Sequence, residues 1–87
     1  MNWNEAAEDL LTQILQRTPR PVRDSTEAGI REAAEALAQE DGLTRVGVRT
    51  VIAAWIQTTP EPLLADLPRQ LEALGLEPAD YEDLFSG

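Results

Sequence analysis

Apolar residues recur along this chain at i, i+3, i+4 and i+7, the period of an α-helix. Trp3, Ala7, Leu10, Leu11, Ile14 and Leu15 form the first stripe, which predicts a helix running to about Gln16. Asn2 or Asn4 is its N-cap, with Glu5 at capping-box distance from Asn2. Arg17 lies where a cation complements the carboxyl end of the helix dipole. Pro19 and Pro21 then stop the helix and bias Thr18 and Arg20 toward extended geometry. A second capping box, Asp24 with Glu27, predicts a helix from about Ser25 to Asp41, with Gly42 as its left-handed cap.

The buried face of that second helix is Ile30, Ala33, Ala34, Leu37 and Ala38, alanine-rich and suited to close approach by a neighbour. Gly29 weakens its amino-terminal part or falls in a frayed first turn. "LTRVGV" is a short extended connection. Val48, Val51, Ile52, Trp55 and Ile56 follow, the strongest stripe in the chain and the expected centre of the core. "TTPEP" ends this third helix and restarts the chain, with Thr59 as N-cap and Pro60 in the first turn. Leu64, Leu67, Leu71 and Leu74 then recur at helical steps, with Pro68 dividing the segment and Gly75 closing it. "PADYEDLF" adds a last turn or two with Tyr81, Leu84 and Phe85 on one face.

The pattern therefore predicts an all-α fold: a small bundle of three core helices in residues 1–59, then a short acidic helical extension in residues 60–87. At 87 residues the chain forms one domain, because a chain of this size cannot bury two cores. It carries no repeat and no low-complexity segment.

Charge adds the next constraint. The formal net charge is −9, and every basic residue is arginine. From Pro60 onward Glu61, Asp66, Glu72, Glu77, Asp80, Glu82 and Asp83 are set against Arg69 alone. Such a balance repels nucleic acid backbones and acidic membranes, so direct binding to either is not expected. "VIAAWI" is too short an apolar run to cross a bilayer, and the amino terminus is polar and acidic, unlike a signal peptide. A soluble cytoplasmic protein is expected, and the arginine and alanine usage fits bacterial coding.

The chain contains neither cysteine nor histidine. This removes thiolate chemistry, the commonest general base and the commonest metal ligand. Ser25, Thr26 and Thr50 have no histidine to activate them. Glu32 with Glu35, and Asp80 with Asp83, are spaced to share a helix face, where acid–base work competes with a simple solvated surface. "DYEDLFSG" alternates oxygen ligands but lacks the glycine and closing glutamate of a calcium loop. No glycine-rich phosphate loop is present. The chain is not expected to be an enzyme, and no cofactor, metal site or catalytic residue is assigned.

Two stretches are candidates for binding a partner protein. In "RTPRPVRDSTE", polyproline II geometry would set Arg20 and Arg23 along one edge with Val22 between them, able to grip a carboxylate or phosphate. The alternative is a rigid corner whose arginines pair with nearby acids such as Asp24 and Glu27. Tyr81, Leu84 and Phe85 either fold back onto the core or form an amphipathic motif that docks in a partner's groove.

Several of these residues carry a family resemblance. Trp3 with Asn4 or Glu5 and Ala6 or Ala7, then Pro19, Val22 and Arg23, then Glu35, Ala38, Gly42 and Val46, resemble the small helical domain at the carboxyl end of the B subunit of light-independent protochlorophyllide reductase. That domain also occurs as a stand-alone small protein in photosynthetic bacteria. The resemblance spans about residues 3–56 and departs at Pro21, where the family has an aromatic, and at Gly47, where it has threonine. It implies a helical accessory of a tetrapyrrole reductase complex and carries over no catalytic residue. "VGVRTVIAAW" and "DLPRQLEALGLEP" are similar to the carboxyl half of a family of small all-helical actinobacterial proteins of unknown function.

The leading expectation is thus a non-catalytic helical module that binds another protein, in a setting related to protochlorophyllide reductase. The alternatives are an acidic inhibitor or nucleic-acid mimic that occupies a basic protein surface, and a component supplying binding groups in trans to an enzyme complex.

Overall fold

A computed structural model describes residues 2–85 and shows an all-α fold. Its helices are α1 (Glu5–Gln16), α2 (Arg20–Glu40), α3 (Val48–Thr58), α4 (Glu61–Leu64), α5 (Leu67–Ala73) and α6 (Glu82–Phe85), with a 3-10 turn at Pro78–Tyr81 before the last. Two residue pairs add a minimal parallel sheet: β1 (Asn2–Trp3) lies beside β2 (Arg45–Val46), with Asn2 opposite Arg45 and Trp3 opposite Val46. The Asn4 amide extends this ladder to the Val46 carbonyl at 2.9 Å. Trp3 is therefore a strand residue and not the first member of the α1 stripe. Pairing its backbone with β2 satisfies groups that a helix start would leave open.

The second difference concerns the corner. α2 begins at Arg20, not near Ser25, because Pro19 is extended (ψ 139°) and Pro21 falls in the first helical turn. A proline there loses no hydrogen bond, and its fixed φ already suits the helix. The Val22 amide bonds the Pro19 carbonyl at 3.1 Å. Arg20, Val22 and Arg23 consequently sit on helix and not on a polyproline edge. Asp24 and Glu27 lie inside α2, so they form no capping box, and Glu27 instead pairs with Arg31 one turn later at 3.1 Å. The restart after α3 is also displaced by one residue: Thr59 ends α3, Pro60 takes the N-cap position of α4, and Pro62 is in its first turn.

The expected ends of α2 and α5 are observed. Gly42 (φ +71°) donates to Gln39 O at 3.1 Å and Leu43 to Ala38 O at 2.8 Å. Gly75 (φ +83°) and Leu76 repeat the arrangement on Glu72 and Leu71. These are Schellman ends, whose positive φ suits glycine.

One apolar cluster joins all the long helices. Leu11 and Ile14 of α1, Ile30, Ala34 and Ala38 of α2, and Val51, Ile52 and Trp55 of α3 are buried together. Val46 of β2 and Leu67 and Leu71 of α5 belong to the same cluster, so the acidic extension contributes directly to the core. The small side chains of Ala34 and Ala38 let α2 lie close along α3, the most extensive helix contact in the fold. No side-chain polar atom is buried without a partner among the described residues. No described helix is both long and apolar enough to cross a membrane.

Candidate partner-binding cleft

The Schellman end of α2 directs the chain outward, and this shapes one concavity of the surface. Leu43, the first residue past Gly42, emerges with 46% of its surface exposed. The strand that follows alternates, placing Arg45 in solvent and Val46 in the core. Gly47 then starts α3 in extended geometry without a side-chain cap. Between these segments lies an open cleft of about 620 Å³. Leu37, Leu43, Val48, Ala53 and Leu84 give it an apolar lining, while Asn4, Asp41, Thr44, Arg45, Arg49 and Thr50 supply polar groups.

The C-terminal turns reach the same place. Tyr81, Leu84 and Phe85 are half-buried against the core, with Leu84 lining the cleft. Arg49 holds this segment through an ion pair with Asp83 and a 3.4 Å hydrogen bond to the Asp80 carbonyl. Ser86 and Gly87, which complete "DYEDLFSG", lie outside the described residues.

The other candidate set sits on the first turn of α2. Arg20 is exposed and Val22 is 47% exposed. Arg23 turns back instead, donating from Nε (3.3 Å) and Nη2 (3.0 Å) to the Thr18 carbonyl. It braces the α1–α2 turn, a role distinct from the expected pairing with Asp24 or Glu27.

A third polar cluster ties the amino terminus to α2. The Trp3 indole N–H donates to Glu35 Oε2 at 3.0 Å, and the Arg31 guanidinium stacks 4.8 Å from the Trp3 ring centre. Arg31 also bonds Glu8 (2.8 Å) and Glu27 (3.1 Å). Partial burial opposes the charge on Arg31, but hydrogen bonds and attraction from Glu8 and Glu27 outweigh it, so its pKa is raised above the usual arginine value. The role is structural: the acids engaged here are bound to partners that hold α1, α2 and β1 together.

The carboxylate pairs singled out in the sequence are thus engaged in part. Glu35 accepts from Trp3, and Asp83 faces Arg49. Among the described residues no group of acids is placed to hold a metal ion. No protein-family model, curated protein or solved structure matches this chain.

The cleft residues Leu43, Arg45 and Arg49 carry no periodic signal that would single them out. Leu43 follows a left-handed glycine just as Leu76 does, yet Leu76 packs against the core while Leu43 is exposed, so the position alone does not single it out. Val48 belonged to the predicted core stripe of α3, yet it is half-buried on the cleft wall.

Proposed function

We propose that this protein is a non-catalytic helical module that binds another protein through the cleft between the end of α2, β2 and the start of α3. The observation that carries this reading is the pairing of an exposed leucine, Leu43, with an apolar floor and an arginine rim in a molecule of net charge −9. An apolar-lined concavity with a few polar groups at its rim is the usual form of a binding site. The module acts in the bacterial cytoplasm as an accessory related to protochlorophyllide reductase-type complexes. Supporting that finer assignment, Trp3 and Glu35, two positions that carry the family resemblance, are hydrogen-bonded to each other.

The test is affinity capture from native extract with the full chain and with Leu43→Asp, each checked for helix content by circular dichroism. Capture of a defined protein by the parent chain and its loss with Leu43→Asp supports the reading. Identical captured proteins for both chains would refute it. The second reading, an acidic inhibitor or nucleic-acid mimic, is favoured by the exposed carboxylates of Glu61, Asp66, Glu72 and Glu77 along the C-terminal segment. It predicts affinity for a basic protein that falls steeply with salt and is competed by duplex DNA.

A further inference from the structure

We infer that the C-terminal turns, Pro78–Phe85, form a detachable strap at one end of the cleft, which lifts off α3 as a unit while the core helices stay folded. The inference concerns which part of the fold can open, and it stands whether or not the cleft takes a partner. Under the binding reading above, the closed strap is an autoinhibitory contact.

Burial supplies the first argument. α5 is fixed to the core by Leu67 and Leu71, 2% and 0% exposed. The 3-10 turn and α6 that follow bury no residue fully, and Tyr81, Leu84 and Phe85 are only partly covered where they pack against the core. A segment that gives up little buried apolar surface opens at less cost than the whole domain unfolds.

The junction with α5 supplies the second. Gly75 ends that helix in left-handed geometry, and the Leu76 amide bonds the Leu71 carbonyl at 2.9 Å. Glu77 is then extended (ψ 113°) and exposed, and Pro78 has no amide hydrogen with which to join the turn to α5. Among the described residues, one backbone hydrogen bond ties Pro78–Phe85 to the chain before it, from the Asp80 amide to the Glu77 carbonyl at 3.0 Å. That carbonyl shares a peptide plane with Pro78, so rotation at Glu77 swings the segment and keeps the bond.

Charge is the third. Asp80, Glu82 and Asp83 crowd three acids into this short segment of a chain of net charge −9. Arg49 holds them through Asp83 and the Asp80 carbonyl. The Arg49 and Asp83 side chains are 53% and 66% exposed, so water competes for the pair and it contributes little to closure. Closed, the strap sets Leu84 beside Val48 and Ala53 of α3 in the cleft lining. Lifted, it uncovers that wall.

The test is native-state hydrogen exchange on the full chain, read residue by residue by NMR. Amides of residues 80–85 should exchange more slowly than in an unstructured chain, yet at least tenfold faster than the slowest amides of α2 and α3 after correction for intrinsic rates. Leu84→Ser with Phe85→Ser should remove the protection of residues 80–85. It should lower that of α2 and α3 by no more than the factor the strap itself had in the parent. The chain has no cysteine, so Ala53→Cys reports access to the cleft wall. A maleimide should label it at least threefold faster with the two serines present than without them. If Ala53→Cys unfolds the chain, Thr50→Cys, also in the lining, replaces it. Exchange of residues 80–85 in step with α2 and α3, or their lack of protection in the parent, overturns the inference. So does loss of core protection beyond that factor in the serine pair, or equal labelling in the two backgrounds. Partner capture with Leu43→Asp bears only on the binding reading, so the two fail separately.

Discussion

α2 and the segment from Glu61 to Phe85 are of similar length and are both framed by proline and glycine, yet one is a single helix and the other is four short pieces. The difference lies in where the prolines fall. In α2 the only interior proline occupies the first turn, and the helix then runs uninterrupted to its Schellman end at Gly42. In the C-terminal segment Pro62, Pro68 and Pro78 each begin a new turn, because proline at a helix start costs nothing while proline in a helix interior breaks it. The two regions also dock differently. α2 lies against α3 with small residues, Ala34 and Ala38, in the buried cluster, whereas the segmented region fully buries Leu67 and Leu71, packs Leu64, Leu74, Leu76, Tyr81, Leu84 and Phe85 partly against the core, and adds the surface pair of Arg49 with Asp83. Continuity places many weak contacts in register along α2. Segmentation concentrates full burial in two leucines, Leu67 and Leu71.

The sharpest way to break that comparison is to remove an anchor. Leu71→Ala should cost about 2–5 kcal/mol, the usual range for truncating a fully buried leucine. Urea unfolding would show it, and an unchanged midpoint would mean that the acidic extension does not share the core. Next comes Ala34→Leu, which inserts bulk where α2 and α3 meet. Over-packing of this kind typically costs about 1–3 kcal/mol, measured in the same way. A milder effect would show that the interface yields more than its close-packed alanines suggest.

Two glycines in and after α2 should then respond with opposite signs. Gly42→Ala places a side chain at φ +71° and should cost about 1 kcal/mol. Gly29→Ala meets open space inside the helix and should add about 0.5–1 kcal/mol of stability. Thermal melts of the pair separate conformational strain from helix propensity. The smallest expected effect is at the surface anchor. Arg49→Ala should cost less than about 1 kcal/mol and lose its effect at high salt, because exposed ion pairs contribute little. A larger loss would show that the C-terminal turns are held mainly by that pair and not by Leu84 and Phe85.

The helical class was legible because apolar spacing reports directly which faces are buried, and the stripes of α1, α2 and α3 matched the buried residues closely. Gly42 and Gly75 were legible for a local reason, since left-handed helix ends favour glycine. The start of α2 was misplaced because Pro21 satisfies two rules at once: it can end one helix or open the next. Only the extended backbone at Pro19 decides between them. Trp3 was misplaced because its apolar spacing fits the α1 stripe, while the strand that captures its backbone lies more than forty residues away, at Arg45 and Val46. Of the candidate binding residues, Arg23 is committed to the Thr18 carbonyl, Arg20 and Val22 remain on the surface, and Tyr81, Leu84 and Phe85 pack against the core.

By itself, the sequence determined what depends on neighbours along the chain: the helical period, the proline breaks, the glycine ends and the lack of cysteine and histidine. Tertiary structure decided what depends on distant residues meeting. It drew Trp3 onto β2 and under Arg31, bound Arg49 to Asp83, and left Leu43 and Arg45 facing an open cleft. The physical reason is that exposure at a surface position is set by what packs beside it. A leucine after a glycine is read as a helix end from the chain alone, and becomes a candidate contact only when nothing in the fold covers it.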